Sequence, residues 1–225
     1  MLINEIYQSI EGEVSGHHQG AVTTFIRTQG CNLRCEYCDS KYTWDEGKGR
    51  DNLDIEDILS IVNVLGNKNV TITGGEPMMQ EQFSFLVNAL WDKNYNIAVE
   101  TNGTFFPDPF VREMVNSWIV DWKWGIEPIK IRDASIYMVL EQNDFIKFII
   151  KDKEDFNRAI KVKEGLLSQN LMKSIPKFAF SPCHGVLEPN KLVGWILELK
   201  SEERKDIILN LQIHKYIWPV ERRGV

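Results

Sequence analysis

The sequence lacks long apolar runs: none approaches the roughly 20 residues that a membrane-spanning helix needs. Its first ten residues contain Glu5 and no Lys or Arg, so they do not resemble a secretory signal peptide. With 43% hydrophobic and 26% charged residues, the composition is typical of a globular protein. We therefore expect a cytoplasmic protein in which residues 1–225 form a single medium-sized α/β domain.

The sequence also lacks a basic excess, since 26 Lys and Arg residues face 32 Asp and Glu residues and give a net charge of −6. A nucleic-acid interface would need a basic face, so we expect no nucleic-acid partner, and we expect no membrane partner either. A small-molecule ligand is compatible with this balance, because a pocket needs few local charges. Low-complexity segments and sequence repeats are absent as well.

Cysteine is scarce, with four residues in the chain, and three of them lie close together as Cys31, Cys35 and Cys38. This density argues against a disulfide framework, and in a cytosolic protein such clustering more often indicates a metal centre. Three thiolates on a four-iron cluster would leave one iron open to a small molecule, as catalytic metal sites leave a position open.

Two blander interpretations of these cysteines stay open at this point. A structural zinc site could be closed by His17, His18 or Cys183. An electron-transfer cluster would need four protein ligands, and Cys183 could be the fourth. Structural zinc prefers paired C-x2-C motifs, and the sequence has no second pair.

Short runs rich in Val, Ile, Phe and Thr alternate with helix-like segments along the chain, and this alternation predicts parallel strands joined by crossovers. Six such units are too few for an eight-fold barrel, so we expect a partial (β/α)6-type TIM barrel, with a three-layer sandwich as the alternative. The predicted strands are residues 21–28, 69–73, 96–101, 118–123, 144–150 and 177–181. One predicted helix starts near Asp54 as its N-cap, and the others span residues 80–93, 153–167 and 189–200. Residues 124–141 give only a weak helical pattern.

Polar and glycine-rich motifs follow these strands, and the carboxyl ends of parallel strands are where such folds place their chemistry. We therefore expect the motifs to meet at one mouth of the barrel. In strand order they are the cysteines, Thr73-Gly74-Gly75-Glu76-Pro77, Glu100-Thr101-Asn102-Gly103, Asp121-Trp122-Lys123, Lys147 within the fifth strand, and Ser181-Pro182-Cys183-His184.

The C-x3-C-x2-C spacing with Tyr37 before the last cysteine, together with Gly74-Gly75-Glu76, resembles the signature of the radical S-adenosylmethionine (SAM) superfamily. The resemblance implies a [4Fe–4S] cluster whose open iron binds the amino and carboxylate groups of SAM. It also implies reductive cleavage of SAM to a 5′-deoxyadenosyl radical, chemistry that belongs to the cofactor while the protein orients and shields it.

Nearly the whole chain resembles the 7-carboxy-7-deazaguanine synthase family, through residues 7–13, 25–27, 38–40, 73–77, 100–103, 181–182, 212–216 and 223–225. The resemblance implies conversion of 6-carboxy-5,6,7,8-tetrahydropterin to 7-carboxy-7-deazaguanine with release of ammonia, on the route to queuosine and related deazapurines. It further implies a modified partial barrel, assistance by Mg²⁺ and a homodimer. Flavodoxin or ferredoxin is the expected electron donor.

The resemblance also implies roles for individual residues. The cluster ligands are Cys31, Cys35 and Cys38, and Ser40 is the Mg²⁺ ligand. The substrate residues are Ile10, Glu11, Gly12, Arg27, Thr73, His214 and Val225. The SAM residues are Tyr37, Cys38, Asp39, Gly75, Asp121, Trp122, Lys123, Ser181, Pro182, Cys183 and His184. Arg27 would pair with the substrate carboxylate, since a planar guanidinium suits that anion. His17 and His18 are expected in a solvated loop without a role.

The chain departs from the family pattern at three places. Glu11-Gly12-Glu13-Val14 stands where Gln-Gly-Glu-Gly is usual, Ser40 replaces a commoner threonine, and Asp121-Trp122-Lys123 replaces Ser-Pro-Lys. These departures put the substrate contacts in question and leave the class of enzyme unchanged. The rival interpretations are an activase that installs a glycyl radical on a partner protein, and a non-catalytic metal-binding module.

Overall fold

A computed structural model describes residues 1–45, 51–124, 136–168, 174–219 and 222–225. Within these residues the strands are β1 (Leu2–Ile10), β2 (Val22–Thr28), β3 (Asp51–Asn52), β4 (Asn69–Gly74), β5 (Asn96–Thr101), β6 (Ser117–Trp122), β7 (Phe145–Ile150), β8 (Lys177–Pro182) and β9 (Ile207–Leu209). They form one sheet in the order β3-β1-β2-β4-β5-β6-β7-β8-β9.

All six predicted strands are present as β2, β4, β5, β6, β7 and β8, adjacent in this order and parallel. The partial-barrel prediction is therefore confirmed. Three additions were not predicted: β1 pairs antiparallel with β2, the two-residue β3 pairs antiparallel with β1, and the short β9 adds a further parallel strand beside β8. All three lie at the ends of the strand order; β1 mixes polar and apolar residues, and β3 and β9 are only two and three residues long.

The helices are α1 (Ile55–Leu65), α2 (Phe83–Asp92), α3 (Pro109–Met114), α4 (Lys153–Ser168), α5 (Pro189–Glu198), α6 (Ser201–Arg204) and α7 (His214–Ile217). Asp54 caps α1 as predicted, because its carboxylate accepts the backbone N–H of Asp57 at 2.8 Å. Among the described residues, no helix combines the length and the apolar character that crossing a membrane requires.

The structure differs from the predicted helices at the start of α2 and adds detail in residues 124–141. Helix α2 begins three residues later than expected, because the side chain of Gln80 bonds the backbone at Leu2 (2.9 Å) and Gln29 (2.7 Å), and Pro77–Met79 forms a 3-10 turn before it. In the segment predicted to be weak as a helix, Ile136–Val139 forms a 3-10 turn, and residues 125–135 lie outside the described residues.

The two faces of the sheet differ because successive strand side chains point to opposite sides. The outer face packs against the helices through large apolar side chains, with Phe180 edge-on to Phe148 (ring centroids 5.4 Å apart) and to Phe156 of α4 (5.7 Å). The inner face carries a small buried apolar cluster at its base, made of Val14, Ala98, Ile119 and Ala179. Above this cluster the inner face carries mostly polar side chains, and a cavity lies there.

The loop after β1 enters the barrel from below, where its backbone is held by side chains of distant strands. Val14 donates its N–H to Asn210 Oδ1 at 2.9 Å, and Gly16 donates to Ser117 Oγ at 3.1 Å. The prediction that both loop histidines are solvated is wrong for His17. Its ring is buried, with Nδ1 3.7 Å from the carboxylate of Glu11, because the loop folds inward instead of over the surface.

The packing of the outer face can be tested by a substitution at Phe180. We expect Phe180→Ala to lower the free energy of unfolding by about 3–5 kcal/mol, because the side chain is fully buried between two other rings. Chemical denaturation measures this difference. The control is Val64→Ala on α1, where the side chain is 84% exposed and a change within about ±0.5 kcal/mol is expected. Equal losses in the two variants would contradict this packing.

Candidate active site

A cavity of about 630 Å³ opens at the carboxyl ends of the parallel strands, where the sequence motifs were expected to meet. All three clustered cysteines line it, and so do side chains from every parallel strand between β2 and β7. The remaining wall comes from the loop after β1, the turn after β8 and the C-terminal segment. The polar side chains of the lining include Arg27, Thr73, Glu100, Asp121, Lys147 and Gln212.

Strand register places the polar side chains of neighbouring strands at one height in the barrel. Arg27 on β2 is paired with Thr73 on β4, and Asp121 on β6 is paired with Lys147 on β7. Glu100, on β5 between them, accepts a hydrogen bond from Thr73 Oγ1 at 2.6 Å. These side chains point into the barrel because each sits at the same phase of the strand alternation. They form a polar ring above the small apolar base.

The ammonium of Lys147 lies at the centre of this ring. Its Nζ atom is 2.8 Å from Glu13 Oε2 and 3.1 Å from Asp121 Oδ1. Burial favours the neutral amine, but the charges of Asp121, Glu13 and Glu100 outweigh burial and raise the pKa of Lys147 well above its ordinary value. Lys147 is therefore a permanent cation. A second ammonium, that of Lys123, lies 2.5 Å from Asp121 Oδ2.

Glu13 is held as a carboxylate. Burial would raise its pKa, but the charge and hydrogen bond of Lys147 dominate and lower the pKa of Glu13 to about 2. Two amides complete its coordination: Asn210 Nδ2 donates to Oε2 at 3.0 Å and Gln212 Nε2 donates to Oε1 at 2.8 Å. Glu13 thus connects the loop after β1 to the segment that follows β9.

Glu100 has the opposite tendency. Burial raises the pKa of Glu100 to about 7, against the lowering effect of Lys147, and the negative charges of Glu13 and Glu11 add to the rise. The cavity therefore holds one carboxylate, Glu13, that stays ionised and another, Glu100, that titrates near neutrality. Paired acids whose environments separate their pKa values are characteristic of catalytic sites.

The glycine-rich turn after β4 locks onto the loop that carries the cysteines. Glu76 donates its backbone N–H to the carbonyl of Gly30 at 2.8 Å, and Gly30 donates to the carbonyl of Thr43 at 2.7 Å. A Cβ on Gly75 would overlap the carbonyl oxygen of Gly30, so no other residue fits there without moving the backbone. Glycine at this position therefore allows the backbone of the turn after β4 to approach the backbone of the cysteine loop.

The three clustered cysteines are placed where they could hold a cluster together. All three cysteines are partly buried and line the same cavity, and among the described residues no three His, Cys, Asp or Glu side chains are grouped to hold one metal ion. Each cysteine of a four-iron cluster binds a different iron, so such sulfurs need not converge on one point. His17, a candidate zinc ligand, contacts Glu11 instead of a cysteine.

The residues assigned to the substrate by resemblance all lie in this cavity. Gly12 must be a glycine, since a Cβ there would overlap the ring of His214. The carbonyl of Gly12 also accepts the N–H of Ile213 at 2.9 Å, which brings the loop after β1 against the start of α7. The set that lines the cavity is Ile10, Glu11, Gly12, Arg27, Thr73, His214 and Val225.

The residues assigned to SAM divide into two groups. Tyr37, Cys38, Asp39, Gly75, Asp121, Lys123, Cys183 and His184 line the cavity, together with the predicted magnesium ligand Ser40, whereas Trp122, Ser181 and Pro182 do not. Trp122 follows the inward-pointing Asp121, so its side chain points outward and packs against Tyr137, with ring centroids 5.0 Å apart. Ser181 is buried and accepts from Asn210 Nδ2 at 2.7 Å. The predicted role of Trp122, Ser181 and Pro182 beside SAM stays a prediction.

Several residues of the site were not assigned a role from the sequence. Lys147 was placed within the fifth strand and Glu100 at the end of the third, both without a function. Glu13, Gln212 and Lys215 belonged to the motifs that carry the resemblance, but they received no individual role. One signal was available: Lys147 interrupts the apolar run of β7, where an unpaired ammonium would be costly. The partners of that lysine come from distant segments, so the sequence could not identify them.

Comparisons with known proteins agree with this geometry. The family model described as the Radical SAM superfamily matches residues 25–122. A 7-carboxy-7-deazaguanine synthase of Clostridium acetobutylicum is 33% identical over 224 residues, covering 98% of this chain and 97% of that protein. The enzyme of the same name from Chlorobaculum tepidum is 30% identical over 227 residues, covering 99% and 96%.

Among solved structures, QueE from Escherichia coli matches with a TM-score of 0.66 and 22% identity, covering 93% of this chain and 92% of that one, which supports the fold. Membership of the radical SAM superfamily implies a [4Fe–4S] cluster and SAM, and the three cysteines that such a cluster requires are present. With near full-length similarity to enzymes of one name and a cavity of the corresponding design, the chain belongs to the 7-carboxy-7-deazaguanine synthase family of radical SAM lyases.

Proposed function

We propose that the chain converts 6-carboxy-5,6,7,8-tetrahydropterin to 7-carboxy-7-deazaguanine with loss of ammonia, in the biosynthesis of queuosine or a related deazapurine. The observation that carries this proposal is the meeting, in one cavity, of the cysteine loop and a polar ring that contains both a guanidinium and paired carboxylates. The near full-length similarity to 7-carboxy-7-deazaguanine synthases supports it. One sheet carries all of these residues, which supports treating residues 1–225 as one domain.

The cavity offers different chemistry on its two sides. Cys31, Cys35 and Cys38 would hold the cluster, and the lining residues beside them, including Asp121 and Lys123, would bind SAM. When bound, the cluster and SAM supply a 5′-deoxyadenosyl radical that removes hydrogen from C6 of the pterin. The residues of this chain have three tasks: to bind the pterin, to exclude water and to move protons.

Arg27 is placed to bind the substrate carboxylate. Its Nε donates to Glu5 Oε1 at 2.8 Å and its Nη2 donates to the hydroxyl of Tyr7, while Nη1 has no hydrogen bond to a described residue. The guanidinium is therefore held in place on one side and faces the cavity with the other. A guanidinium held in a fixed plane suits a planar carboxylate. A binding residue that is already oriented reduces the entropy cost of placing the substrate for reaction.

Glu100 is the proposed proton carrier for the departing nitrogen. Loss of ammonia requires a proton on that nitrogen, and a group that titrates near the working pH transfers protons most effectively. Glu100, with a pKa of about 7, meets this condition, whereas Glu13, with a pKa of about 2, does not. Glu13 and Lys147 would hold the floor of the pocket at constant charge beside it.

Ser40 is the proposed Mg²⁺ ligand. Its hydroxyl lines the cavity and lies 3.1 Å from Asp39 Oδ1, and hydroxyl and carboxylate oxygens are the hard ligands that Mg²⁺ prefers. Lys215 Nζ is 2.7 Å from the other oxygen of Asp39, so this carboxylate would share its charge between an ammonium and the ion. Water and the substrate would complete the coordination.

The remaining proposals concern partners and location. Exposed Arg34 and Lys41 flank the ring of Trp44 next to the cysteine loop, which supports an acidic electron donor such as flavodoxin or ferredoxin.

The exposed aromatic side chains of Phe85 and Phe110 on α2 and α3 supply apolar surface for a homodimer. We place the enzyme in the cytoplasm with its small-molecule substrate.

The proposed function is tested by anaerobic incubation of the reconstituted enzyme with carboxytetrahydropterin, SAM, dithionite and Mg²⁺. The expected result is 7-carboxy-7-deazaguanine in amounts that exceed one turnover. Deuterium at C6 of the substrate should pass into 5′-deoxyadenosine, which an activase acting on a partner protein would not show. Cleavage of SAM with the pterin left intact would refute the assignment.

Arg27 tests the substrate-binding side. We expect Arg27→Gln to raise KM for carboxytetrahydropterin about 10- to 100-fold, because a hydrogen bond to a charged group contributes about 1.5–3 kcal/mol. Cluster content and reductive cleavage of SAM without substrate should stay at the wild-type level. The control is Arg204→Gln on the surface of α6, which should leave KM unchanged. An unchanged KM in Arg27→Gln would remove Arg27 from the substrate site.

The raised pKa of Glu100 can be tested through the pH dependence of stability. Its folded pKa of about 7 lies above the unfolded value of 4.5, so its neutral form stabilises the fold below pH 4.5, and this stabilisation is lost as pH rises through 7. The loss is at most about 3 kcal/mol. Urea unfolding of the protein before cluster reconstitution, at pH 5 and pH 8, should show a smaller loss in Glu100→Gln than in wild type. The exposed control Glu81→Gln should behave as wild type, and identical losses in all three would refute the assignment.

A further inference from the structure

The motif Glu100-Thr101-Asn102-Gly103 contains a residue that the proposed function does not use. Asn102 follows directly after β5, is 9% exposed and points its side chain towards the cysteine loop. Its Nδ2 atom lies 3.9 Å from Cys31 Sγ, within the reach of a hydrogen bond to sulfur, and 2.9 Å from Asn32 Oδ1.

The orientation of this amide is determined by its neighbour Thr104. The backbone N–H of Thr104 donates to Asn102 Oδ1 at 3.0 Å, and the Thr104 hydroxyl lies 2.6 Å from the same oxygen. A backbone N–H can only donate, so the side-chain atom that it meets must be the oxygen. The amino group is therefore turned towards Asn32 and the sulfur of Cys31.

The backbone of Asn102 is fixed as well. Its N–H donates to Glu76 Oε2 at 2.8 Å, and Thr101 Oγ1 donates to Glu76 Oε1 at 2.8 Å. Glu76 in turn donates its N–H to Gly30, the residue before Cys31, at 2.8 Å. A closed circuit of hydrogen bonds thus runs from the cysteine loop through the glycine-rich turn to Asn102. The donor is held in place before any cofactor binds.

We propose that Asn102 is a positioning residue for the cluster, donating an N–H···S bond to Cys31 that raises the cluster's reduction potential. One-electron reduction adds negative charge to the cluster and its sulfurs, and a donor to a sulfur stabilises the reduced state more than the oxidised state. A second donor, the N–H of Leu33, lies 3.4 Å from the same sulfur. Two N–H groups are thus directed at the sulfur of Cys31.

The proposal rests on the cluster and is independent of the substrate. Its readout is the midpoint potential of the reconstituted enzyme without SAM or pterin, measured by electron paramagnetic resonance during a redox titration. We expect Asn102→Ala to lower the equilibrium constant for one-electron reduction about tenfold, which is about 59 mV towards more negative potential. Asn102→Asp should shift further in the same direction, because a carboxylate replaces the donor with a negative charge.

Asn88→Ala is the control. Asn88 is an exposed asparagine of α2 whose side chain donates to Asp92 of the same helix, so the potential should equal that of wild type. If Asn102→Ala keeps a full cluster and its potential is unchanged, the proposal is wrong. An unchanged potential combined with weaker SAM binding would make Asn102 a SAM ligand instead, and would also overturn it.

Thr104→Val provides a second route if Asn102→Ala does not retain its cluster. This variant removes the hydroxyl that helps to orient the amide and keeps the backbone N–H that fixes its oxygen. We expect a shift towards negative potential that is smaller than that of Asn102→Asp. A wild-type potential in both Thr104→Val and Asn102→Asp would refute the role of this amide. Neither result bears on whether the pterin is the substrate.

Discussion

The buried ammonium of Lys147 is the interaction on which the rest of the site depends. Burying a charge costs several kcal/mol, and the cost is recovered only where partners with good geometry surround it. Glu13 and Asp121 are those partners, at 2.8 and 3.1 Å. Because Glu13 is also bonded to Asn210 and Gln212, the same ion pair determines where the loop after β1 and the segment after β9 must lie. Without Lys147 the barrel interior would hold several carboxylates and no central cation.

The two sides of the cavity are held by different forces. The cysteine loop is fixed mainly by backbone hydrogen bonds from Gly30 and Glu76, although burial also raises the pKa of the Glu76 carboxylate to about 7. The opposite side is fixed by ion pairs and side-chain bonds around Lys147, where Glu13 is ionised throughout and Glu100 titrates near neutrality. A rigid side suits a cofactor that must be bound in one geometry. A side that can exchange protons suits a substrate that loses nitrogen.

The parallel strands could be predicted from the sequence because each is a short apolar run bounded by turns, and the motifs could be placed because all such strands end at one mouth. The rest depended on contacts between distant segments. The loop after β1 folds inward and buries His17, and no local sequence pattern indicates this. A motif match also gives no information on side-chain alternation, which turns the ring of Trp122 away from the cavity next to Asp121. The role of Lys147 was hidden because its partner Glu13 lies 134 residues away.

The carboxylate of Glu11 shows how one departure from the family pattern reaches the chemistry. The resemblance places glutamine at this position, and a glutamine oxygen could accept the 2.7 Å hydrogen bond from Thr71 as Glu11 Oε2 does. The difference is therefore one of charge. The negative charge of Glu11 is among those that raise the pKa of Glu100. A glutamine would remove that contribution and let Glu100 release its proton at lower pH. Glu11 thus helps to keep a proton on the acid of the polar ring, although it is bonded to a different strand.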